Sequence, residues 1–239
     1  MKPSTRLTGG LLATVLACAA SPAAWAGPTI ANGGFESGLA GWTTADQIGS
    51  FGTFALQSGT ASPINADPVP TAPQGLNAAM SDGDGPGAHV LYQDFLASAG
   101  PATLGFQLFI GNRADRFANP DTLDYSVAAI NMQARVDILA EGADPFSMDP
   151  ADILMSLYST QVDDTLVSGY ALVATDITAL MATHAGQTLR LRFAETDNLA
   201  PLQMGVDDVK IQGQTVAEPA SVAMAGLALA ALAWRRRRP

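Results

Sequence analysis

Cysteine is nearly absent: Cys18 is the only one in 239 residues. It lies in the first 26 residues, which read as a removable leader, so the exported body has no disulfide to lean on. Histidine is almost as scarce, with only His89 and His184. The chain has no G-x-S-x-G, no H-E-x-x-H, no P-loop and no cysteine nucleophile in the body, and both histidines are expected to be surface residues at element ends. A non-catalytic protein is therefore expected, although a polysaccharide hydrolase stays open because the two carboxylates of a glycosidase carry no local motif. Basic residues are missing where a nucleic-acid binder would need them. Lys2, Arg6, Arg235, Arg236, Arg237 and Arg238 sit at the termini, which leaves six basic residues in the middle against all 22 acidic ones, Glu36 to Glu218. A body of net charge −16 excludes nucleic acid and anionic lipid as partners and suits a soluble exported protein.

The first 26 residues have the three parts of an export signal. Lys2 and Arg6 come first, an apolar run from Leu11 to Ala20 comes next, and Ala24-Trp25-Ala26 supplies the small residues a signal peptidase needs. Cleavage there starts the mature chain at Gly27. Val15-Leu16-Ala17-Cys18 loosely resembles a lipoprotein cleavage box, but Leu16 is bulky where such boxes carry a smaller residue. The stretch from Gly27 to Glu218 is long enough for one domain with a substantial core.

The other terminus reads Ala217-Glu218-Pro219, then an apolar stretch from Ala220 to Trp234, then the run Arg235, Arg236, Arg237 and Arg238. Fifteen helical residues reach about 22 Å, short of a hydrocarbon core of about 30 Å, so the span is marginal. Four arginines hold that end in the cytoplasm and leave the body outside. Glu218, Pro219, the apolar helix and the arginine cluster resemble a PEP-CTERM sorting signal, here over residues 215–239, with Ala217 in place of the first proline. The resemblance implies a Gram-negative host, transient anchoring in the inner membrane, processing by an exosortase, and a product at the cell surface or in the extracellular matrix.

Between the signals the pattern is β. Runs rich in strand formers cover Ser50 to Gln57, Ala88 to Ala97, Thr103 to Ile110, Asn131 to Leu139, Leu166 to Val173, Thr188 to Thr196 and Met204 to Gln212, with Gly, Pro, Asn and Asp between them. Helices do not alternate with them, which argues against a parallel α/β sheet. Two short helices are expected, Pro150 to Leu157 capped by Asp149 and Ile177 to His184 capped by Asp176 and stopped by Gly186. Ala61 to Gly75, with four prolines, reads as a loop. The fold class expected is all-β, a jelly-roll β-sandwich over residues 27–214.

Alternation sorts the strands into two faces. Leu104, Phe106, Leu108 and Ile110, then Met132, Ala134, Val136 and Ile138, then Leu189, Leu191 and Phe193, each share one side and are assigned to the core. The opposite sides carry Gln107, then Gln133, Arg135 and Asp137, then Arg190 and Arg192. Placed in one sheet they form either a polar ligand platform or a set of cross-strand salt bridges.

Asn32-Gly33-Gly34-Phe35-Glu36-Ser37-Gly38 with Gly41-Trp42, paired with Gly205-Val206-Asp207-Asp208-Val209 at the far end, resembles the galactose-binding-like jelly rolls of secreted carbohydrate-binding modules. That resemblance implies adjacent first and last strands and a structural calcium held by Glu36 and Asp208 with backbone oxygen from Gly33 and Gly34. Glu36 as a solvated turn residue is the alternative, and Trp42 is assigned to the core. Asp82 to Gly87 starts like an EF-hand loop but fails at Pro86 and Gln93, so it reads as a surface turn. The long polar segment Asn112 to Asp124 is a candidate binding loop. Tyr92, Phe117 and Tyr125 are candidate sugar platforms, and Tyr92, Gln107, Arg135 and Arg192 are the candidate ligand set. The expected ligand is extracellular polysaccharide, and the rival is a structural matrix protein without a sugar pocket.

Overall fold

The computed structural model describes residues 29–213. The stretch read as a leader, residues 1–26, lies outside the described residues, and so does the stretch read as a sorting tail, with Glu218, Pro219, Arg235, Arg236, Arg237 and Arg238. Ten strands and one helix run in order: β1 Thr43–Asp46, β2 Thr53–Ser58, β3 Asn77–Asp82, β4 Gly87–Leu96, β5 Thr103–Asn112, β6 Met132–Leu139, β7 Ile153–Ser159, β8 Ala171–Asp176, α1 Thr178–Thr183, β9 Thr188–Asp197 and β10 Leu202–Gln212. They form two antiparallel five-stranded sheets, β1-β4-β9-β6-β7 and β2-β3-β10-β5-β8. Only β2–β3 and β6–β7 are hairpins; every other connection carries the chain from one sheet to the other, the habit of a jelly-roll β-sandwich. Among the described residues no helix is long and apolar enough to cross a membrane.

The core lies where alternation placed it. Leu104, Phe106, Leu108 and Ile110 of β5 face Met132, Ala134, Val136 and Ile138 of β6 and Leu189, Leu191 and Phe193 of β9, all buried in one cluster. Trp42 joins them, with its ring 5.3 Å from Phe35 and 5.9 Å from Phe193, and its indole N–H donates to the Asn32 carbonyl at 3.1 Å. Phe117 is buried in the same cluster, which removes it as a sugar platform.

Several expectations are corrected. Pro150 to Leu157 is not a helix: the Asp149 carboxylate and carbonyl accept from Ala151, Asp152 and Ile153 N–H groups, a single turn, and the chain then extends as β7 along β6. A capping residue closes one turn, and beyond it cross-strand pairing outweighs helix propensity. The strand expected at Leu166 to Val173 runs instead from Ala171 to Asp176, with Val167 making only an isolated bridge to Gly111. The short edge strand β1 and the alanine-rich β3 gave no pattern of their own. The second helix does form, over Thr178–Thr183, with Ile177 and not Asp176 at its N-cap; the Asp176 carboxylate accepts from the Thr178 N–H at 2.8 Å just before it, and Gly186 comes after it at φ +84°. His89 is 2% exposed and not a surface residue. Asp82 is buried too, because its carboxylate accepts from the Ile64 and Asn65 N–H groups, both at 2.7 Å.

The first and last described segments meet. Val209 N–H donates to the Gly33 carbonyl at 2.9 Å, and a β-carbon on Gly33 would stand 1.8 Å from the Val209 carbonyl oxygen, so only glycine allows this approach. β10 bulges there, between Asp207 and Lys210, with Asp208 at φ +49°.

Candidate functional site

The six polar residues singled out by alternation do not share a sheet. Gln133, Arg135, Asp137, Arg190 and Arg192 lie on the outer face of the first sheet, together with Tyr92, whereas Gln107 of β5 lies on the second. Gln107 therefore cannot join Arg135 and Arg192.

The first sheet's outer face is closed. Loop 140–152 folds across β6 and β9: the Ala143 carbonyl accepts from Arg190, and the Pro145 and Ser147 carbonyls accept from Arg192 at 2.8 and 2.6 Å. Loop 113–131 covers the other half, with Gln133 donating to the Pro120 and Thr122 carbonyls and Leu123 buried against Val90 and Ala194. Beneath the first loop, Asp137 holds two arginines. Its Oδ2 accepts from Arg135 Nε at 2.7 Å and from Arg192 Nε and Nη2 at 3.0 and 2.9 Å, while Oδ1 accepts from Arg135 Nη2 at 2.7 Å. Arg192 is fully buried, and its desolvation pushes the guanidinium pKa down while Asp137 opposes it. The arginines are a buried ion-pair network, not a free platform. Tyr92 is half-buried with one ring face taken by Arg190, whose guanidinium carbon lies 4.1 Å from the ring centroid while its nitrogens hold Asp94.

The second sheet is open along part of its outer face. Loop 59–75 covers one end, where Val69 packs on Met80, Phe109 and Tyr170, and Pro68 accepts from Arg113. The other end is a groove of about 250 Å³ lined by Thr103, Gly105, Gln107, Leu172, Asp208 and Lys210, among others. Register builds it: Gly105 pairs with Lys210 on one side and Ala174 on the other, so two small residues lower the floor, and Thr103 opposite Gln212 flanks it. The Lys210 ammonium holds Asp208 Oδ2 at 2.6 Å, and the Gln107 carboxamide faces the groove with no side-chain partner among the described residues. Leu172, 62% exposed, adds an apolar ridge. Such a groove offers a donor–acceptor amide, a charged donor, a carboxylate and an apolar contact side by side, the inventory that recognises vicinal hydroxyls on a ring. Lys210 and Leu172 were not anticipated. The alternation of Asp208 with Lys210 in β10 was the available signal for the first; nothing local marked the second.

The residues expected to hold calcium are engaged otherwise. Glu36 Oε1 accepts from the Leu76 and Asn77 N–H groups, both at 2.9 Å, and the bulge turns Asp208 to Lys210. Asp207 is the carboxylate beside the N-terminal turn, 4.0 Å from where a Gly34 β-carbon would stand, but it accepts from the Gln74 and Asp208 N–H groups. Burial raises the Asp207 pKa to about 6 against those hydrogen bonds. Among the described residues no three His, Cys, Asp or Glu side chains gather to hold a metal ion, and the Glu36 and Asp208 carboxylates each already have protein partners.

A second cleft, about 340 Å³, opens at the loop end between Pro86, Tyr125, Ile130 and Asn198. Its polar groups are spent internally: Tyr125 Oη donates to the Ile48 carbonyl, and the Asn198 amide donates to the carbonyls of residues 125, 127 and 129.

Residues 215–238 match the PEP-CTERM protein-sorting motif, so the chain carries that motif at its C-terminus, the mark of an exported protein. The match takes in Glu218, Pro219 and all four arginines, Arg235, Arg236, Arg237 and Arg238. No curated protein matches the chain. Among solved structures it is similar to the carbohydrate-binding module TmCBM61 in complex with β-1,4-galactotriose (14% identity, 77% of this chain and 97% of that one, TM-score 0.43). It is also similar to the K3 cleaved adhesin domain of Lys-gingipain from Porphyromonas gingivalis W83 (15%, 77% and 98%, TM-score 0.47). A third likeness is to a Stig cyclase from Fischerella sp. TAU (19%, 77% and 96%, TM-score 0.46).

Proposed function

We propose that the protein is an exported, non-catalytic binding domain whose ligand is an extracellular polysaccharide, engaged in the groove on β10, β5 and β8. The observation that carries this reading is the set of Gln107, Asp208 and Lys210 side chains around a glycine floor on the open part of the second sheet. Export uses the leader, Met1 to Ala26, and the sorting tail, with an exosortase acting near Glu218 and Pro219 and the apolar stretch serving as a temporary inner-membrane anchor. The strong negative charge of the body keeps it soluble and away from anionic lipid once released. Calcium has no part in this reading.

A glycan array tests it. Wild-type protein is expected to give saccharide hits that fall at least about tenfold in Gln107→Ala and Lys210→Ala, each a loss of about 1.4 kcal/mol or more. Hits that persist in both variants would remove the groove. A blank array would remove the saccharide and favour a purely structural matrix role.

A further inference from the structure

One end of the space between the sheets is not apolar. Across the inner face of the first sheet, Asp46 of β1 pairs with His89 of β4, and His89 pairs with Glu195 of β9. Two residues along, Gly87 pairs with Asp197. Asp82 ends β3 in the second sheet, with its side chain on that sheet's outer side, where Gln203 and the Ile64 and Asn65 N–H groups meet it. Asp46, Glu195 and Asp197 thus share one end of the inner face with a single histidine, and Asp82 lies behind them at the end of β3.

Three of the four carboxylates are provided for. His89 Nδ1 lies 2.7 Å from Asp46 Oδ1. Asp82 accepts from the Ile64, Asn65 and Gly83 N–H groups and from Gln203. Asp197 accepts from the Gly87 N–H at 2.9 Å and the Leu202 N–H at 3.0 Å, and so ties the start of β4 to the start of β10. Glu195 is different. It is 1% exposed, its Oε1 has no hydrogen-bond partner, and only the Ser81 hydroxyl lies within reach of its carboxyl. It enters no ion pair among the described residues: Asp197, Asp82 and Asp46 act on it as like charges, and His89, which stands opposite it in register, turns its Nδ1 to Asp46. β10 offers only Leu202 and Met204 on its inner side, and β6 presents Ala134 opposite it.

A carboxylate cannot stay ionised in such a place without a counter-charge, and a carboxylic acid can. We propose that this end of the sandwich is a proton-dependent latch: protonated Glu195 lets β3, β4, β9 and β10 close around Asp197, and its ionisation places an unpaired charge among three other acids and loosens that end.

The sign comes from burial, which raises the Glu195 pKa well above the ordinary glutamate range and that of Asp197 to about 6. The folded chain then keeps protons that the unfolded chain has released. The stability this contributes is fully present below the unfolded values, about 4, and is lost as pH rises through the raised ones. The protein is therefore more stable in mild acid than in mild base, the reverse of a fold held by salt-bridged carboxylates.

The test is thermal unfolding of the full chain between about pH 5 and pH 8.5, wild type against Glu195→Gln, which fixes the neutral form at nearly constant shape. The wild-type Tm is expected to fall by several degrees as pH rises, and the variant to lose most of that fall, matching wild type at the acid end and exceeding it at the basic end; a residual slope belongs to Asp197 and Asp207. Parallel profiles for the two proteins would overturn the latch. A carbon-13 titration of the Glu195 carboxyl in the wild type decides independently of whether the variant folds: a midpoint in the ordinary glutamate range would also overturn it.

Discussion

The two outer faces of this sandwich start from similar strand patterns and end differently. β6 and β9 present Gln133, Arg135, Asp137, Arg190 and Arg192; β5 and β10 present Gln107, Asp208 and Lys210. On the first sheet, loops 113–131 and 140–152 supply backbone carbonyls to the guanidiniums and to Gln133, and a row that reads as solvated becomes a buried network. On the second, loop 59–75 stops short, and the same kind of row remains a groove. Polarity along a strand says which residues avoid the core. Whether they meet water is decided by loops that cross the face from elsewhere in the chain.

The contrast is most exposed to failure at the centre of the buried network. Asp137→Ala leaves the Arg192 and Arg135 guanidiniums without their shared carboxylate and is expected to cost about 3–5 kcal/mol in denaturant unfolding, or to prevent folding. A cost within about 0.5 kcal/mol, the usual size for exposed positions, would mean that the first face is as open as the second. Next in size is the seam between the N-terminal turn and β10. Gly33→Ala forces a methyl group into the Val209 carbonyl and is expected to destabilise by about 1–3 kcal/mol, seen as a lower midpoint at unchanged slope.

Substitutions in the groove are expected to widen the difference between the faces by doing almost nothing to stability. Gln107→Ala and Lys210→Ala should stay within about 0.5 kcal/mol of wild type, because neither side chain supports the core. The Arg190–Asp94 pair, whose carboxylate is exposed, belongs with them, as Asp94→Ala is expected to cost no more than about 1 kcal/mol. The smallest effect is expected from calcium. Millimolar Ca²⁺ should leave the Tm unchanged, and a rise that is lost in Asp207→Asn would restore a cation to the seam between Gly34 and β10.

Much of the fold was legible because the core strands obey a period of two. β4, β5, β6, β9 and β10 were found within a few residues, and so was the burial of Leu104 to Ile110 and Leu189 to Phe193. β7 was hidden by Asp149 and Pro150, a convincing helix start whose signal is spent in one turn. β3, Asn77–Asp82, lacks β-branched residues and becomes a strand only by lying between β2 and β10. The candidate site was half legible. Gln107 and Asp208 were named from the sequence, but they were grouped with the wrong partners because strand order is a non-local property. His89 was misjudged for a related reason: alternation puts it on the inner face, but the polar end of the core that accepts it needs Asp46 and Glu195 from distant segments.

If the open face takes the ligand, and not the covered face or the loop-end cleft, three variants compared side by side on a glycan array will separate. These are Lys210→Ala in the groove, Arg190→Ala beside Tyr92, and Tyr125→Ala at the loop end. Saccharide signal is expected to drop only in Lys210→Ala, with the other two profiles matching wild type. Signal that survives in Lys210→Ala and disappears in Tyr125→Ala would place the ligand at the loop end and contradict a role for the groove.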